Sequence, residues 1–361
     1  MEWMDTNQDA QRLLDRKLAR DVASDSGLIL LREGMAVTAD HLKMLIKHGV
    51  EKVAVSGHAS FLDQLDAKCK AQHAAFVAAY RDQYNQLQAL FKTAGRPGEE
   101  ELANVLNSFE TLAAEALESY SLFEVLQQLE GHDGYLLRHS IHVGIQSAFI
   151  AKFAGKSRDE ILTFGKAGLL HDIGMLQMPK ALFEQSRTLS EEEWNELKSH
   201  PAKGEQHLAE TDVGGAVFEA VRDHHERMDG SGYPKGKTAD EISEAGKITA
   251  VADVFDAVSS DRVYRKKASP IAALQEISRE VFAGRLSAEH GMRFIDCMSS
   301  MYNGTDVLLS DGRLAKIVRL KATDLSNPLI SINREVVDLK QLDGVWIADI
   351  ADPRLLTHQG S

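Results

Sequence analysis

The spacing of apolar residues changes several times along the chain, and each change predicts a different kind of element. Near the start, the run Gly27-Leu28-Ile29-Leu30-Leu31 followed by Glu33-Gly34 predicts a strand and a turn. Thr38 stands where a cap should open an amphipathic helix running to Ile46, and Lys52-Val53-Ala54-Val55 predicts a second strand. Residues 1–58 therefore read as a small α/β accessory unit. From Phe61 to Leu129 apolar residues recur at helical spacing, broken at Gly95-Arg96-Pro97-Gly98, which predicts two long helices forming a connector over 59–130. Leu62, Leu65, Phe76, Tyr80, Tyr84, Leu87 and Leu90 are expected to serve core or dimer packing, and a helical pair of this length can pack against its copy in a homodimer.

Over 131–300 helical periodicity continues. Tyr135 to Val143 predicts one helix, and Asp159 to Leu170 another with Ile161, Leu162, Phe164, Leu169 and Leu170 inward. Thr188 to Trp194 carries the cap and acidic first turn of a third, and His200-Pro201 opens the next. From Tyr302 to Ile350 the pattern changes to short β-prone runs at 306–309, 314–320, 329–332 and 335–339, separated by Asp311-Gly312, Ser326-Asn327-Pro328 and Asn333-Arg334. The expected fold is mainly α: a helical bundle with a small N-terminal α/β unit and a small β-rich C-terminal appendage over 301–361.

Composition narrows the options without choosing among them. A chain of 361 residues, 43% of them apolar, can build two or three cores. It has no run of eighteen apolar residues and no basic-then-apolar start, so no membrane span is expected and the cytoplasm is the expected compartment. Cys69 and Cys297 suggest no disulfide framework. The formal charge of −13 argues against a general nucleic-acid binder, because such proteins displace counterions from phosphates with basic surface. It does not exclude a phosphate substrate, since divalent metals held by acidic and imidazole groups would reverse the local sign.

Candidate chemistry concentrates in the bundle. Eight of the fourteen histidines fall between His132 and His225. The stretch from Val221 to Pro234 is a helix expected to end near Arg227, followed by a turn with Gly230, Gly232, Tyr233 and Pro234. The glycines allow positive φ or a close approach, and Pro234 stiffens the exit, so Tyr233 is presented at a fixed place. Neighbours on a helix point about 100° apart, so His224 and His225 can share a metal only where the last turn is irregular or faces a cavity. Taken alone, the pair also fits a helix end where the macrodipole favours imidazolium. His139 and His142, three apart, share one helix face.

Together with His171-Asp172, His200-Pro201, Asp229-Gly230, Gly232-Tyr233-Pro234 and Asp253 followed by Asp256-Ala257, these pieces give the stretch from about Gly131 to Phe294 a specific likeness. It resembles an HD-GYP domain, the bacterial branch of the HD metal-dependent phosphohydrolases that hydrolyses cyclic di-GMP. The resemblance implies an HD-type bundle. It also implies two divalent ions, iron or manganese, one held by His139, His171, Asp172 and Asp253 and the other by Asp172, His200, His224 and His225. A hydroxide bridging them would attack phosphorus in line, giving pGpG as product, or GMP after a second cleavage. Hydrolysis of a diester near neutral pH needs its charge neutralised and a water made acidic, and the absence of cysteine ligands argues against structural zinc.

Tyr233, Arg262 and Arg265 match family positions that contact the nucleotide, a reading that the position of the arginines after Asp253 favours over a salt-bridged surface pair beside Asp256 and Asp261. The loop Gly232-Tyr233-Pro234 is also a place for signalling proteins to dock. Two departures matter. Met175 stands where the family commonly has a lysine, so that either turnover would be slow or another residue, Lys180 or Lys203, would substitute. Tyr135 stands where members with three metals carry a glutamate, which favours a binuclear site. Three functions follow: a cyclic di-GMP phosphodiesterase, a cyclic di-GMP receptor of weak activity, or a hydrolase of a related dinucleotide such as cyclic GMP-AMP.

Overall fold

The structure is a computed structural model. It describes residues 2–7, 13, 18–24, 29–33, 35, 37–55, 65, 69, 73–92, 97–119, 126, 134–183, 187, 189–260 and 268–351. The chain divides into two compact units, Met1–Gln64 and Leu65–Ser361.

In the first unit β1 (Glu2–Asp5) pairs antiparallel with β4 (Lys52–Val55), and β2 (Val22–Ala23) pairs antiparallel with β3 (Ile29–Leu31). Between them runs α1 (Ala39–Lys47). Thr38 caps it by accepting from the His41 backbone N–H, and the His41 ring accepts from the Thr38 backbone in return. Met4, Leu18, Leu31, Leu45 and Val53 form a core of their own. The strand β1 had no counterpart in the sequence reading, because four residues at a terminus carry too little alternation.

The second unit is mainly helical. It contains α2 (Ala74–Lys92), α3 (Glu99–Glu118), α4 (Tyr135–Phe153), α5 (Arg158–Leu170), α6 (Glu191–Leu197), α7 (His200–Leu208), α8 (Gly215–Asp223), α9 (Glu244–Ser259), α10 (Pro270–Phe282) and α11 (Ala288–Met301). Helix α4 is buried on every side from Leu137 to Ala151, which makes it the axis of the bundle. Helices α5 and α9 pack along it, α8 lies across both, and α2 and α3 pair with each other and lean on α4 and α5. Ser157, Ser243, Ser269 and Ser287 cap α5, α9, α10 and α11 by accepting backbone N–H bonds, each typically worth about 1 kcal/mol.

The chain closes with an antiparallel sheet of β5 (Asp306–Leu309), β6 (Leu314–Lys321), β7 (Asp324–Ile332), β8 (Glu335–Asp338) and β9 (Ile347–Ile350), in the order β8-β7-β6-β5-β9. The predicted runs match β5 to β8, and β9 was missed. Val307, Leu309, Ile317 and Ile330 turn to the buried side. Tyr80, Phe76, Leu87 and Leu90 are buried as expected for packing residues, and Leu62 lies outside the described residues. No helix among the described residues is long and apolar enough to cross a membrane.

Candidate metal centre

Five segments of the bundle bring their ends to one place. Helix α4 carries His139, and α5 ends in His171 as its C-cap with Asp172 next. His200 is the first residue of α7, and α9 presents Asp253 and, three residues on along the same face, Asp256. Helix α8 stops at Asp223, four residues before the expected end. Its last carbonyls are met by the turn: His224 Nδ1 donates to those of Ala220 and Val221 and the Glu226 N–H to that of Asp223, while the Arg227 guanidinium donates to the carbonyls of His224 and Glu226 beyond. His224 and His225 therefore lie in the turn rather than on the helix, with ring centroids 4.1 Å apart. That irregular turn is how two adjacent imidazoles reach one site.

The seven groups form two sets. Ligand atoms of Asp172, His200, His224 and His225 all lie within 4.8 Å of one another, and so do those of His139, His171 and Asp253. Asp172 faces both: Oδ1 is 3.1 Å from His200 Nε2 and 3.7 Å from His224 Nε2, while Oδ2 is 3.6 Å from His171 Nε2 and 3.8 Å from His139 Nε2. His139 Nε2 is also 3.3 Å from Asp253 Oδ1, and His225 Nδ1 is 3.7 Å from Asp253 Oδ2.

The tautomers suit cations. His171 Nδ1 donates to the Gly168 carbonyl at 2.7 Å, His200 Nδ1 to the Leu197 carbonyl at 2.8 Å, and His224 Nδ1 to the Ala220 carbonyl at 2.9 Å. Each neutral ring is thus left with its lone pair on Nε2. His171 Nε2 is buried without a hydrogen-bond partner, and His200 Nε2 faces His224 Nε2 at 3.2 Å. Bare nitrogens converging on one carboxylate form a donor set that a divalent ion satisfies and that apolar packing does not.

The charges point the same way. Burial pushes the His171 imidazole down to about 4 against the pull of the Asp172 charge. Burial, with His224 and His200 beside it, holds His225 well below the ordinary histidine range. Burial would also lower His139, but hydrogen bonds to Asp253 and Asp256 outweigh it and hold that ring up at about 10. Asp172 and Asp253 stay ionised far below the usual carboxylate range despite burial, because imidazoles surround them.

The loop after α8 is fastened by two buried carboxylates to which the sequence reading gave no role. Glu226 accepts from the backbone N–H of Lys235 at 2.7 Å and of Lys237 at 2.9 Å. Asp223 accepts from Lys237 Nζ at 2.6 Å and from the Ser243 N–H at 3.1 Å. Their signal was two acidic residues at helical spacing beside a glycine-rich turn. Gly230 takes the positive φ of 80°. Gly232 is needed for close approach to the chain itself rather than to a ligand: a Cβ there would stand 2.5 Å from Glu226 Cα. Tyr233 N donates to the His225 carbonyl at 3.1 Å, and its ring lies 4.6 Å from the His225 ring. Pro234 follows it through a cis peptide. Arg262 and Arg265 lie outside the described residues.

A model of the HD domain family matches residues 140–285. A cyclic di-GMP phosphodiesterase of Pseudomonas aeruginosa is 26% identical over 337 residues, which cover 91% of this chain and 77% of that protein. A 3'3'-cGAMP-specific phosphodiesterase of Vibrio cholerae is 36% identical over 146 residues, 40% of this chain and 32% of that one. A cyclic di-GMP phosphodiesterase response regulator of Xanthomonas campestris is 34% identical over 181 residues, 49% of this chain and 46% of that one. The solved structure of an HDGYP protein from Bdellovibrio bacteriovorus has the same fold, with a TM-score of 0.54 at 16% identity over 82% of this chain and 99% of that one. Residues 140–285 therefore carry an HD domain, and the chain is similar to HD-GYP proteins.

In the structure the two departures noted in the sequence have consequences. Met175 is buried against Met178 and Leu182, so the usual lysine position is a small apolar core. Lys203 directs its ammonium to Met178 Sδ at 3.3 Å, and the side chain of Lys180 lies outside the described residues. A different lysine stands beside the centre. Lys198, the C-cap of α6, places Nζ 5.7 Å from the Tyr233 ring centroid and 5.5 Å from that of Trp194. Tyr135 stacks on His139, ring centroids 5.4 Å apart at 14°.

Proposed function

We propose that this chain hydrolyses cyclic di-GMP to the linear dinucleotide pGpG at a binuclear centre of iron or manganese. The observation that carries the reading is Asp172, one carboxylate whose two oxygens face two different sets of buried imidazoles. The relatives named as cyclic di-GMP phosphodiesterases support the substrate. His139, His171, Asp172 and Asp253 hold one ion, and Asp172, His200, His224 and His225 the other. Bound divalent ions supply neutralisation of the diester's charge and an acidified water for attack.

The chain's own groups do the rest. Asp172 and Asp253 remain anionic at neutral pH and fix the ions against the surrounding imidazoles. Tyr233, held over His225 by the Glu226-anchored loop, gives a purine a face on which to stack. Lys198 brings positive charge to that face in place of the absent lysine, and Arg262 and Arg265 bind phosphate or a guanine edge through their planar forks. A GMP end product would need a second cleavage. The same loop offers signalling proteins a docking point, and α2 and α3 offer a second copy of the chain a surface. The free thiols Cys69 and Cys297 fit a reducing cytoplasm.

Two specific observations favour other outcomes. The buried Met175 favours a receptor that binds without turnover, and relatives named as 3'3'-cGAMP-specific favour the mixed dinucleotide. The test is to incubate anaerobically prepared, manganese-supplemented protein with each dinucleotide and resolve the products chromatographically. Conversion of cyclic di-GMP to pGpG is expected. Intact cyclic di-GMP that stays bound would replace the enzyme with a receptor, and preferential loss of cyclic GMP-AMP would replace the substrate.

A further inference from the structure

Four buried side chains from three helices form one unbroken line of hydrogen bonds ending at the metal centre. Tyr80 Oη on α2 lies 3.2 Å from His142 Nε2, and His142 Nδ1 lies 3.1 Å from Asp256 Oδ1. Asp256 Oδ2 lies 2.7 Å from His139 Nδ1. Every proton along the line is fixed by the next group. An ionised carboxylate only accepts, so both His139 and His142 present Nδ1–H to Asp256. With its one proton on Nδ1, the His142 ring offers a lone pair at Nε2, to which the Tyr80 hydroxyl can donate. His139 is left with Nε2, the atom that faces Asp172 and Asp253, to offer an ion once the proton that the metal-free ring carries there is displaced.

We propose that Tyr80 is a positioning residue for the metal centre, acting through His142 and Asp256 to hold His139 in the tautomer and orientation that bind the first ion. The inference rests on the metal-centre reading above and adds a contributor from outside the matched HD domain, which begins at residue 140. Without the tyrosine hydroxyl, His142 Nε2 would lose this donor, and the hold of its Nδ1–H on Asp256 would weaken. Asp256 would keep Gln146 Nε2 at 3.4 Å and Ser260 Oγ at 3.0 Å on the same oxygen, which anchor the carboxylate but do not orient His139. Helix α2 thereby becomes a handle on the centre, since a sliding of α2 along α4 would break the 3.2 Å bond before disturbing any ligand.

The test is Tyr80→Phe, which removes one oxygen and keeps the ring. Affinities for both ions are read by titrating metal-free protein with Mn2+ or Zn2+ against a fluorescent chelator, alongside the d–d absorption of the Co2+ form. Loss of such an outer partner weakens metal affinity about 10-fold to 100-fold. The expected result is a loss of about that size at one site only, with a changed Co2+ band. His142→Leu should cause at least the same loss, and adding Tyr80→Phe to it should cause no further loss. Leu90→Ala, a packing loss on the same helix, should lower Tm and leave both affinities alone. Wild-type affinities in folded Tyr80→Phe overturn the proposal, as does a Leu90→Ala protein with the same weakening. Wild-type protein that takes up no metal sinks the metal-centre reading itself, a separate outcome.

Discussion

Replacing Gly174 by alanine offers a sharp test of how the centre is assembled. Gly174 lies in the 3-10 turn Ile173–Gln177 directly after Asp172, and it is pressed against the first turn of α7, which carries His200. A Cβ at 174 would overlap the His200 carbonyl oxygen and stand 2.7 Å from Gly204 N and 2.9 Å from the His200 carbonyl carbon. All three obstacles are backbone, so no side chain can swing aside. Restoring an ordinary contact of about 3.5 Å with the His200 oxygen requires the two segments to part by about 1.5 Å. His200 Nε2 and Asp172 Oδ1, now 3.1 Å apart, are borne by those same two segments and would separate with them. Overpacking of this kind costs about 1–3 kcal/mol. Gly174→Ala should therefore fold with a lower Tm and lose the ion shared by Asp172, His200, His224 and His225, as read by elemental analysis after anaerobic metal loading. Unchanged Tm together with two ions per chain would refute the claim that backbone contact at Gly174 sets the Asp172–His200 distance.

Three further outcomes follow from the same geometry. Asp172→Ala should lose both metal loading and turnover, because one carboxylate serves both sets, and wild-type metal content in that variant counts against the bridging role. Glu226→Ala removes the acceptor for two backbone N–H groups and should release the Tyr233 loop, raising KM by about 10-fold or more at unchanged metal content, on about 1.5–3 kcal/mol per bond to a charged group; an unchanged KM contradicts it. Metal-free protein should be most stable near pH 6.5. His171, at about 4 when folded against 6.5 otherwise, leaves the unfolded chain with more bound protons between those values, so stability is lost as pH falls through them. His139, held at about 10, stabilises fully below 6.5 and loses that contribution as pH rises toward 10. The two contributions amount to about 3 kcal/mol for His171 and about 5 kcal/mol for His139, and a melting-temperature scan in chelator that rises or falls monotonically from pH 4 to pH 10 would contradict both.

What the sequence made legible was the chemistry that needs particular residue types close together in the chain. His171-Asp172, His200-Pro201 and His224-His225 mark themselves, because few structural roles demand such adjacent pairs. The helical repeats of α2 to α5 were equally plain, since a 3.6-residue period persists over many turns. Relations between distant segments were not. Tyr80 and His142 stand 62 positions apart, and nothing in the run from Phe76 to Leu90 distinguishes a tyrosine whose hydroxyl is used from one that only fills space. The end of α8 was placed too late because the His224 ring and the Glu226 N–H satisfy its terminal carbonyls, a detail invisible to periodicity. Strand β9 was missed for a related reason: four residues behind Gly344 acquire strand character only by pairing with β5. Met175 was recognised as a departure, but its burial and the position of Lys198 beside Tyr233 needed coordinates.

The most direct measurement is anomalous X-ray scattering from a crystal of the anaerobically manganese-loaded protein. The account predicts two peaks, one among His139, His171, Asp172 and Asp253 and the other among Asp172, His200, His224 and His225, with Asp172 touching both. A crystal with manganese bound elsewhere, or with a single peak that leaves Asp172 facing one ion only, would contradict it.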